Sequence, residues 1–354
     1  MNQITQLRQT LQPLLGWHGA RIGFLALFLV ALFRVKTVNL TEVATGFAGQ
    51  AKAASNYKRI QRFLLRWFEV DDDQIAQLVV RLVKIPKPWV LSVDRTTWEF
   101  GAITINILML GVVHQGVAFP LFWQLLDKRG NSNTQERFEL LVTVLSLFAP
   151  EDIAYLTADR EFLGKDWFGL LHADPATRFR IRIRESELLW DGRRSLKTAL
   201  VFQDLQPQQS KVLSGKRRLW GHWLYLAGLR LDDGSLLVVA TDDAPATALS
   251  HYAKRWGIET LFGCLKTRGF CLEATHLKDR ERLKKLITLL TLAFCWANQV
   301  GEWLVEQHPI TLKKHGRKAK SIFRTGLDYL RQILLNLDSH NQQYIQVLKL
   351  LSCT

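Results

Sequence analysis

The sequence predicts an α/β fold in which a mixed β-sheet is covered by helices and preceded by an all-helical N-terminal region. Residues 1–84 show helical patterns throughout, whereas buried-strand patterns alternate with helical ones from residue 85 onwards. The length of 354 residues also accommodates two or three domains with a substantial hydrophobic core.

The N-terminal region ends at the segment KIPKP, residues 84–88, whose two prolines cannot continue a helix. Inside this region, the apolar run at residues 22–33 is twelve residues long, well short of the ~20 that cross a bilayer. We expect a buried helix there, and another at residues 286–297. The polar, mixed start of the chain does not match a secretory signal, so we expect a cytoplasmic protein without membrane association.

Residues 41–68 contain two short helical patterns joined around residues 46–51. The second pattern presents the basic residues Lys52, Lys58, Arg59 and Arg62, as the second helix of a helix-turn-helix motif would present them to DNA phosphates. The alternative is a solvated basic face on a helical bundle. The chain has 47 basic and 32 acidic residues, a net charge of +15, which favours a polyanion such as DNA as the partner.

The first part of the α/β core is predicted over residues 85–185. Its expected order is three strands with a hairpin at Gly116, then a helix, a strand, a helix and a strand. These elements are assigned in that order to residues 89–98, 102–115, 117–126, 131–148, 152–162, 164–173 and 178–185.

Residues 186–245 are predicted to be a β-rich insertion in this core. Short strand patterns at residues 199–205, 222–231 and 235–241 alternate with turn signals such as Asp191-Gly192 and Asp233-Gly234. The second part of the core follows over residues 246–300, and a helical C-terminal region with a basic run at 313–324 covers residues 301–354.

Three acidic residues are candidates for a shared site. Asp94 lies inside an apolar strand pattern, Asp159 follows the end of another, and Glu259 lies on a predicted helix over residues 251–270. If the two strands are neighbours, the two aspartates face each other, and such carboxylates either share a proton or hold a divalent metal ion. Each acid also has an ordinary explanation, such as an ion pair with an arginine or a position in a turn.

The predicted helix over residues 251–270 gathers Tyr252, Arg255, Glu259 and Lys266 on one face, within about 60° at 100° per residue. The spacing Tyr252-x2-Arg255-x3-Glu259-x6-Lys266, with VDRTTW around the first aspartate and ADREF around the second, resembles one family of bacterial insertion-sequence transposases. That family has DDE catalytic domains and includes the transposases of the composite kanamycin- and tetracycline-resistance transposons.

The resemblance implies an RNase H-like catalytic core in which Asp94, Asp159 and Glu259 hold two Mg2+ ions, with Mn2+ as a substitute. It implies cut-and-paste transposition through hairpin-ended DNA by a homodimer that synapses the two ends of double-stranded DNA. Tyr252, Arg255 and Lys266 are then expected to contact phosphates near the scissile bond.

The resemblance also implies that a tryptophan of the insertion stacks on an extruded base. Trp220 and Trp223 are the candidates, and core packing is the alternative for both. Two other functions remain open: a catalytically inactive DNA-binding inhibitor or domesticated relative, and an RNase H-like nuclease without strand transfer. The cysteines fit reduced thiols, because the spacing of Cys264, Cys271 and His276 matches no standard zinc site.

Overall fold

A computed structural model describes residues 3–67, 70–173, 177–314 and 318–352. Cys353, the end of the predicted helix-turn-helix at Phe68, and the middle of the basic run at 313–324 lie outside the described residues. The chain divides into two compact units. Unit 1 comprises residues 1–85, 98–105 and 261–354, and unit 2 comprises residues 86–97 and 106–260.

Unit 1 is built mainly from helices. In chain order these are α1 (Gln3–Leu15), α2 (Gly19–Val35), α3 (Leu40–Thr45), α4 (Ala53–Arg62), α5 (Asp72–Val83), α11 (Arg280–Gln307), α12 (Ile322–Leu335) and α13 (Asn341–Leu351). Both apolar runs of the sequence are buried in this unit, on α2 and α11, as predicted. No helix in the described ranges has the length and apolar character needed to span a membrane.

Two glycines bring helices α11 and α12 into close contact. A Cβ atom at Gly326 would collide with the carbonyl oxygen of Ala297, and one at Gly301 would collide with that of Ile322. Because neither glycine has a side chain, the two helix backbones can touch at this crossing.

Unit 2 contains most of a mixed sheet. Among the described residues its strands are β1 (Trp89–Phe100), β2 (Ile103–His114), β3 (Val117–Leu125), β4 (Ile153–Ala158), β5 (Phe179–Ile183), β6 (Leu188–Trp190), β7 (Ser195–Lys197), β8 (Ser210–Val212), β9 (Arg217–Leu219), β10 (His222–Arg230) and β11 (Leu236–Thr241). The strand order is β3-β2-β1-β4-β5-β11-β10-β9-β6-β7, with β8 paired to β10. Strands β1, β4 and β5 are parallel, and β2 and β3 form the predicted antiparallel hairpin. This arrangement confirms the predicted mixed sheet with an RNase H-like order of its first five strands.

Helices α6 (Thr134–Leu147), α7 (Lys165–Ala173), α8 (Thr198–Val201) and α9 (Ala248–Ala253) belong to unit 2, and α10 (Trp256–Leu265) begins there. A capping box starts α6: the Asn133 side chain accepts from the Glu136 backbone N–H, and the Glu136 side chain accepts from the Asn133 N–H. The predicted helix over residues 131–148 is thus confirmed.

The inserted strands extend the core sheet, because β11 pairs with β5 in an antiparallel register that places Val238 opposite Ile183. The strands predicted at 222–231 and 235–241 are confirmed as β10 and β11. The strand predicted at 199–205 is wrong, since this segment forms the short helix α8 and a turn. Its apolar character instead serves packing: Phe202 is fully buried against the backbone of Gly228 on β10, where a Cβ atom would lie 2.5 Å from the ring.

Candidate active site

The register of β1 and β4 brings Asp94 and Asp159 together. These parallel strands pair Ser92 with Thr157 and Val93 with Ala158, so the next step along each strand reaches one aspartate. Carboxyl ends of neighbouring parallel strands meet at one edge of a sheet, and loops there commonly carry functional groups. The Asp94 side chain is buried, whereas that of Asp159 remains 28% exposed.

The segment carrying Glu259 is not the single helix predicted over residues 251–270. It forms α9 and α10, joined by a tight turn in which the Arg255 N–H donates to the Tyr252 carbonyl at 2.9 Å. Helix α10 then begins against the β2–β3 hairpin, where a Cβ atom at Gly257 would lie 2.9 Å from the Val113 side chain. Glycine at this position permits the close approach that fixes the start of α10 and therefore places Glu259 in its first turn.

Arg255 links two of the three predicted acids. Its Nη1 atom donates to Asp94 Oδ2 at 2.7 Å and to Glu259 Oε1 at 3.4 Å. The side chains of Arg255 and Asp94 are only 8% and 9% exposed, so their contact lies out of water, whereas the Glu259 side chain is 42% exposed. Burial lowers the pKa of Arg255, but Tyr252 and the carboxylates of Asp94, Asp159 and Glu259 together raise it above its ordinary value. The guanidinium therefore stays charged.

Tyr252 connects the same helical segment to Asp159. Its hydroxyl donates to Asp159 Oδ1 at 3.1 Å, and burial raises the pKa of the phenol above its ordinary value. The phenol is therefore a hydrogen-bond donor at neutral pH. Arg182 on β5 reaches Asp159 from another side, with Nη1 3.8 Å from Oδ1.

A second network, which the sequence did not predict, surrounds Glu161. Arg95 donates to both oxygens of this carboxylate at 3.2 Å and also to Asn106 and Asn131. The sequence signal that could have indicated this network is the run of charged residues that follows each aspartate. Arg95 fixes the Glu161 carboxylate, whose negative charge helps to raise the pKa of the Asp94 carboxyl.

Arg137 on α6 fixes the loop that follows Asp159. Its guanidinium donates to the carbonyls of Glu161 at 3.0 Å and Leu163 at 3.2 Å, and to the Ser132 side chain and carbonyl. Burial lowers the pKa of Arg137 to about 10, still far above neutral pH. A charged, buried guanidinium holding several carbonyls makes this loop a rigid support for Asp159.

The chemistry of the donor set suits a divalent cation such as Mg2+, which prefers carboxylate oxygens. The arrangement of these side chains does not suit a metal ion, because one nitrogen of Arg255 lies within hydrogen-bond distance of both Asp94 and Glu259. Within the described ranges, no group of three or more His, Cys, Asp or Glu side chains is placed to hold a metal ion. Burial raises the pKa of the Asp94 carboxyl, and contact with Arg255 opposes that rise.

Lys266, the last residue of the Tyr-Arg-Glu-Lys spacing, belongs to unit 1. There it follows the end of α10, forms an ion pair with Glu273 at 2.8 Å and lies over the Trp98 ring at 5.3 Å. Its side chain is 16% exposed.

The basic residues on and before α4 that were predicted to bind DNA have different surroundings within unit 1. Lys52, Lys58 and Arg62 are exposed, whereas Arg59 is half-buried, donates to Asn56 and lies over the Phe47 ring. The buried Asn56 side chain donates to the carbonyls of Ala44 and Ala51, which ties α4 to the end of α3 and the connection that follows it.

The tryptophans of the insertion also differ. Trp220 packs on Phe168 with ring centroids 4.9 Å apart, whereas Trp223 is 47% exposed. The β-sheet register places Arg218 opposite Trp223 on one side and opposite Trp190 on the other, so the three side chains form one exposed row. Trp190, which is 38% exposed, and Arg218 were missed in the sequence because β6 and β9 are only three residues long.

The family described as transposase DDE domains matches residues 86–296, more than half of the chain. No curated protein matches the chain. Among solved structures, the chain is similar to a piggyBac transposase in a cryo-EM structure of its synaptic complex with hairpin DNA. The TM-score is 0.44 at 10% identity, covering 96% of this chain and 79% of that one, a similarity too distant to inform the site. Members of the matched family generally act on DNA and use divalent metal ions. The chain belongs to the DDE transposase family.

Proposed function

We propose that this chain is the transposase of a bacterial insertion sequence with the Tyr-Arg-Glu-Lys signature, and that it excises its element and joins it to target DNA. The observation that supports this most directly is the β1–β4 register, which brings Asp94 beside Asp159 in a chain of the DDE family. Glu259 reaches the same site through its contact with Arg255.

Asp94, Asp159 and Glu259 are proposed as the acidic triad, with Mg2+ as the natural ion and Mn2+ as a substitute. If bound by these residues, two such ions would supply an activated oxygen nucleophile and a stabilised leaving oxygen for in-line displacement at phosphorus. The rigid loop after Asp159 and the buried position of Asp94 hold two of the carboxylates in fixed places.

The basic residues are proposed to hold DNA. Arg255 and Tyr252 belong beside the scissile phosphate, with Lys266 as a further phosphate contact. Lys52, Lys58, Arg59 and Arg62 would bind the terminal inverted repeats, the three exposed ones through phosphates. Trp223 is favoured over Trp220 as the platform for an extruded base, because its ring is the more exposed.

We further propose a function for each region of the chain and an oligomeric state for the active protein. The helical residues 1–84 bind DNA, residues 85–185 and 246–300 form the catalytic core, 186–245 the insertion, and 301–354 a C-terminal helical region. The active form would be a homodimer that pairs two transposon ends in the bacterial cytoplasm. Inverted repeats flanking the gene, with short direct duplications outside them, would support this assignment.

A strand-transfer assay on end DNA tests the proposal. Asp94→Asn, Asp159→Asn and Glu259→Gln should each abolish metal-dependent cleavage while leaving end binding largely intact. Asp166→Asn makes the same chemical change at an exposed position on α7 and should cut at the wild-type rate. Near wild-type cutting by a triad variant removes that residue from the proposed site.

The same assay separates the other two functions. End binding without any cleavage by the wild-type chain indicates a DNA-binding inhibitor or domesticated relative. Cleavage without joining of the freed 3′ ends indicates an RNase H-like nuclease.

A further inference from the structure

We propose that the Arg255 guanidinium is a built-in counter-cation of the acidic cluster, which keeps a divalent metal ion out until a DNA phosphate draws the guanidinium away. Arg255 is then a positioning residue for the metal as well as a contact for DNA. The inference rests on the proposed metal-dependent function and adds an order of binding to it.

The contacts of Arg255 make it a direct competitor of a metal ion. One nitrogen, Nη1, lies 2.7 Å from Asp94 Oδ2 and 3.4 Å from Glu259 Oε1. A metal ion held by these two acids would need the same oxygens and the space between them. The guanidinium and the ion therefore compete for the same oxygens.

Electrostatics explains why the guanidinium rests there in the protein without DNA. Asp94 is buried, and a buried carboxylate without a cationic partner is costly. The nearby carboxylates of Glu259 and Glu161 add repulsion between like charges. Arg255 offsets both effects, so that removing it leaves carboxyl groups that must either take up a proton or hold another cation.

The surroundings of Arg255 allow its side chain to exchange partners. Its guanidinium carbon lies 5.8 Å from the centre of the Tyr252 ring and 6.0 Å from that of Trp256. Trp256 is 66% exposed and the Glu259 side chain is 42% exposed, so the guanidinium sits between the buried Asp94 carboxylate and groups that face solvent. A guanidinium forms paired hydrogen bonds to phosphate as readily as to carboxylate, which makes a DNA phosphate a suitable new partner.

This exchange couples the two ligands. When a DNA phosphate binds Arg255, the affinity of the carboxylates for metal rises. By reciprocity, bound metal raises the affinity of the protein for DNA. The free protein would then bind little metal, so that the metal needed for phosphodiester cleavage is bound only by chains already on DNA.

Metal binding in the absence of DNA tests the inference, with the free Mn2+ signal in electron paramagnetic resonance as the readout. Arg255→Met should bind Mn2+ more tightly than the wild type, by at least about fivefold, the lower end of typical coupling between sites. Lys254→Met removes the same charge from the neighbouring exposed position and should bind Mn2+ as the wild type does. Arg255→Lys keeps a cation beside Asp94 but lacks the planar fork, so its affinity should be intermediate.

Circular dichroism establishes that each variant is folded, and Arg255→Lys carries the test if Arg255→Met is not. The inference is overturned if both Arg255 variants bind Mn2+ no more tightly than the wild type while the wild type with end DNA binds Mn2+ and cuts. If the wild type with end DNA neither binds Mn2+ nor cuts, the proposed function fails as well.

Discussion

The exposed row on the insertion sheet gives a prediction that separates a DNA-stacking tryptophan from a packing one. Trp223→Leu removes a flat aromatic face at a position that is 47% exposed, while leaving an apolar side chain over the strand. Trp220→Leu makes the same change at a ring that packs 4.9 Å from the ring of Phe168.

The structure sets the expected magnitudes. Base stacking on an aromatic side chain is worth about 1–3 kcal/mol, so Trp223→Leu should weaken binding of unpaired DNA roughly 5- to 150-fold. Trp220→Leu loses an aromatic pair worth about 0.5–1.5 kcal/mol beyond its buried area, and this loss should appear in the free energy of unfolding. The two substitutions thus affect different observables.

The assay compares two DNA probes that carry the same transposon end, one fully paired and one with unpaired bases at its tip. Fluorescence anisotropy gives the affinity for each probe, and urea unfolding gives the stability of each variant. Trp223→Leu should lose affinity for the unpaired probe and keep its affinity for the paired one, whereas Trp220→Leu should bind both probes as the wild type does and unfold at lower urea.

Equal affinity of Trp223→Leu and the wild type for the unpaired probe would refute the assignment of Trp223 as the platform. A selective loss of affinity for the unpaired probe in Trp220→Leu would instead point to the packed ring.

Three further predictions concern charge, packing and pH. Lys266→Ala should reduce the slope of log affinity for DNA against log salt by about one phosphate contact, and an unchanged slope would exclude Lys266 from the interface. Gly326→Ala should destabilise the fold by about 1–3 kcal/mol in urea unfolding, because its Cβ atom collides with a backbone carbonyl. Gly23→Ala, inside α2, brings a Cβ atom into ordinary contact with the Arg8 side chain at 3.9 Å and should be neutral or stabilising by up to about 1 kcal/mol. Burial raises the pKa of Glu302 from 4.5 to about 7, so the folded state holds this proton more tightly and loses stability as pH rises between these values. Glu302→Gln should therefore melt a few degrees above the wild type at pH 8, with the difference vanishing towards pH 5; a constant difference would contradict the assigned cause.

Much of the fold could be predicted because its signals are local. Two apolar runs on either side of Gly116 identified β2 and β3, and an Asn/Ser/Thr start with an apolar stripe identified α6. The strand prediction for residues 199–205 was wrong, because an apolar run does not reveal which segment it packs against. Phe202 packs against Gly228, which lies on a later strand and has no side chain to occupy that space.

The sequence offers candidate residues for the site but not the contacts between them. Asp94 lies inside one apolar strand pattern and Asp159 follows the end of another, so their meeting requires only that the two strands be neighbours. The turn between α9 and α10 could not be predicted, since it depends on how closely Gly257 approaches Val113. That turn sends Arg255 to Asp94, a contact between residues 161 positions apart.

The pairing of β11 with β5 has a consequence for how this chain can be shortened. A loop deletion that removed the whole insertion would strip β5 of its antiparallel neighbour and leave a row of unsatisfied amide and carbonyl groups open to pairing with other molecules. Truncated versions that keep β8 to β11 and discard only β6 and β7 leave the three-residue strand β9 as the edge and should stay monodisperse, whereas clean excision should yield aggregates.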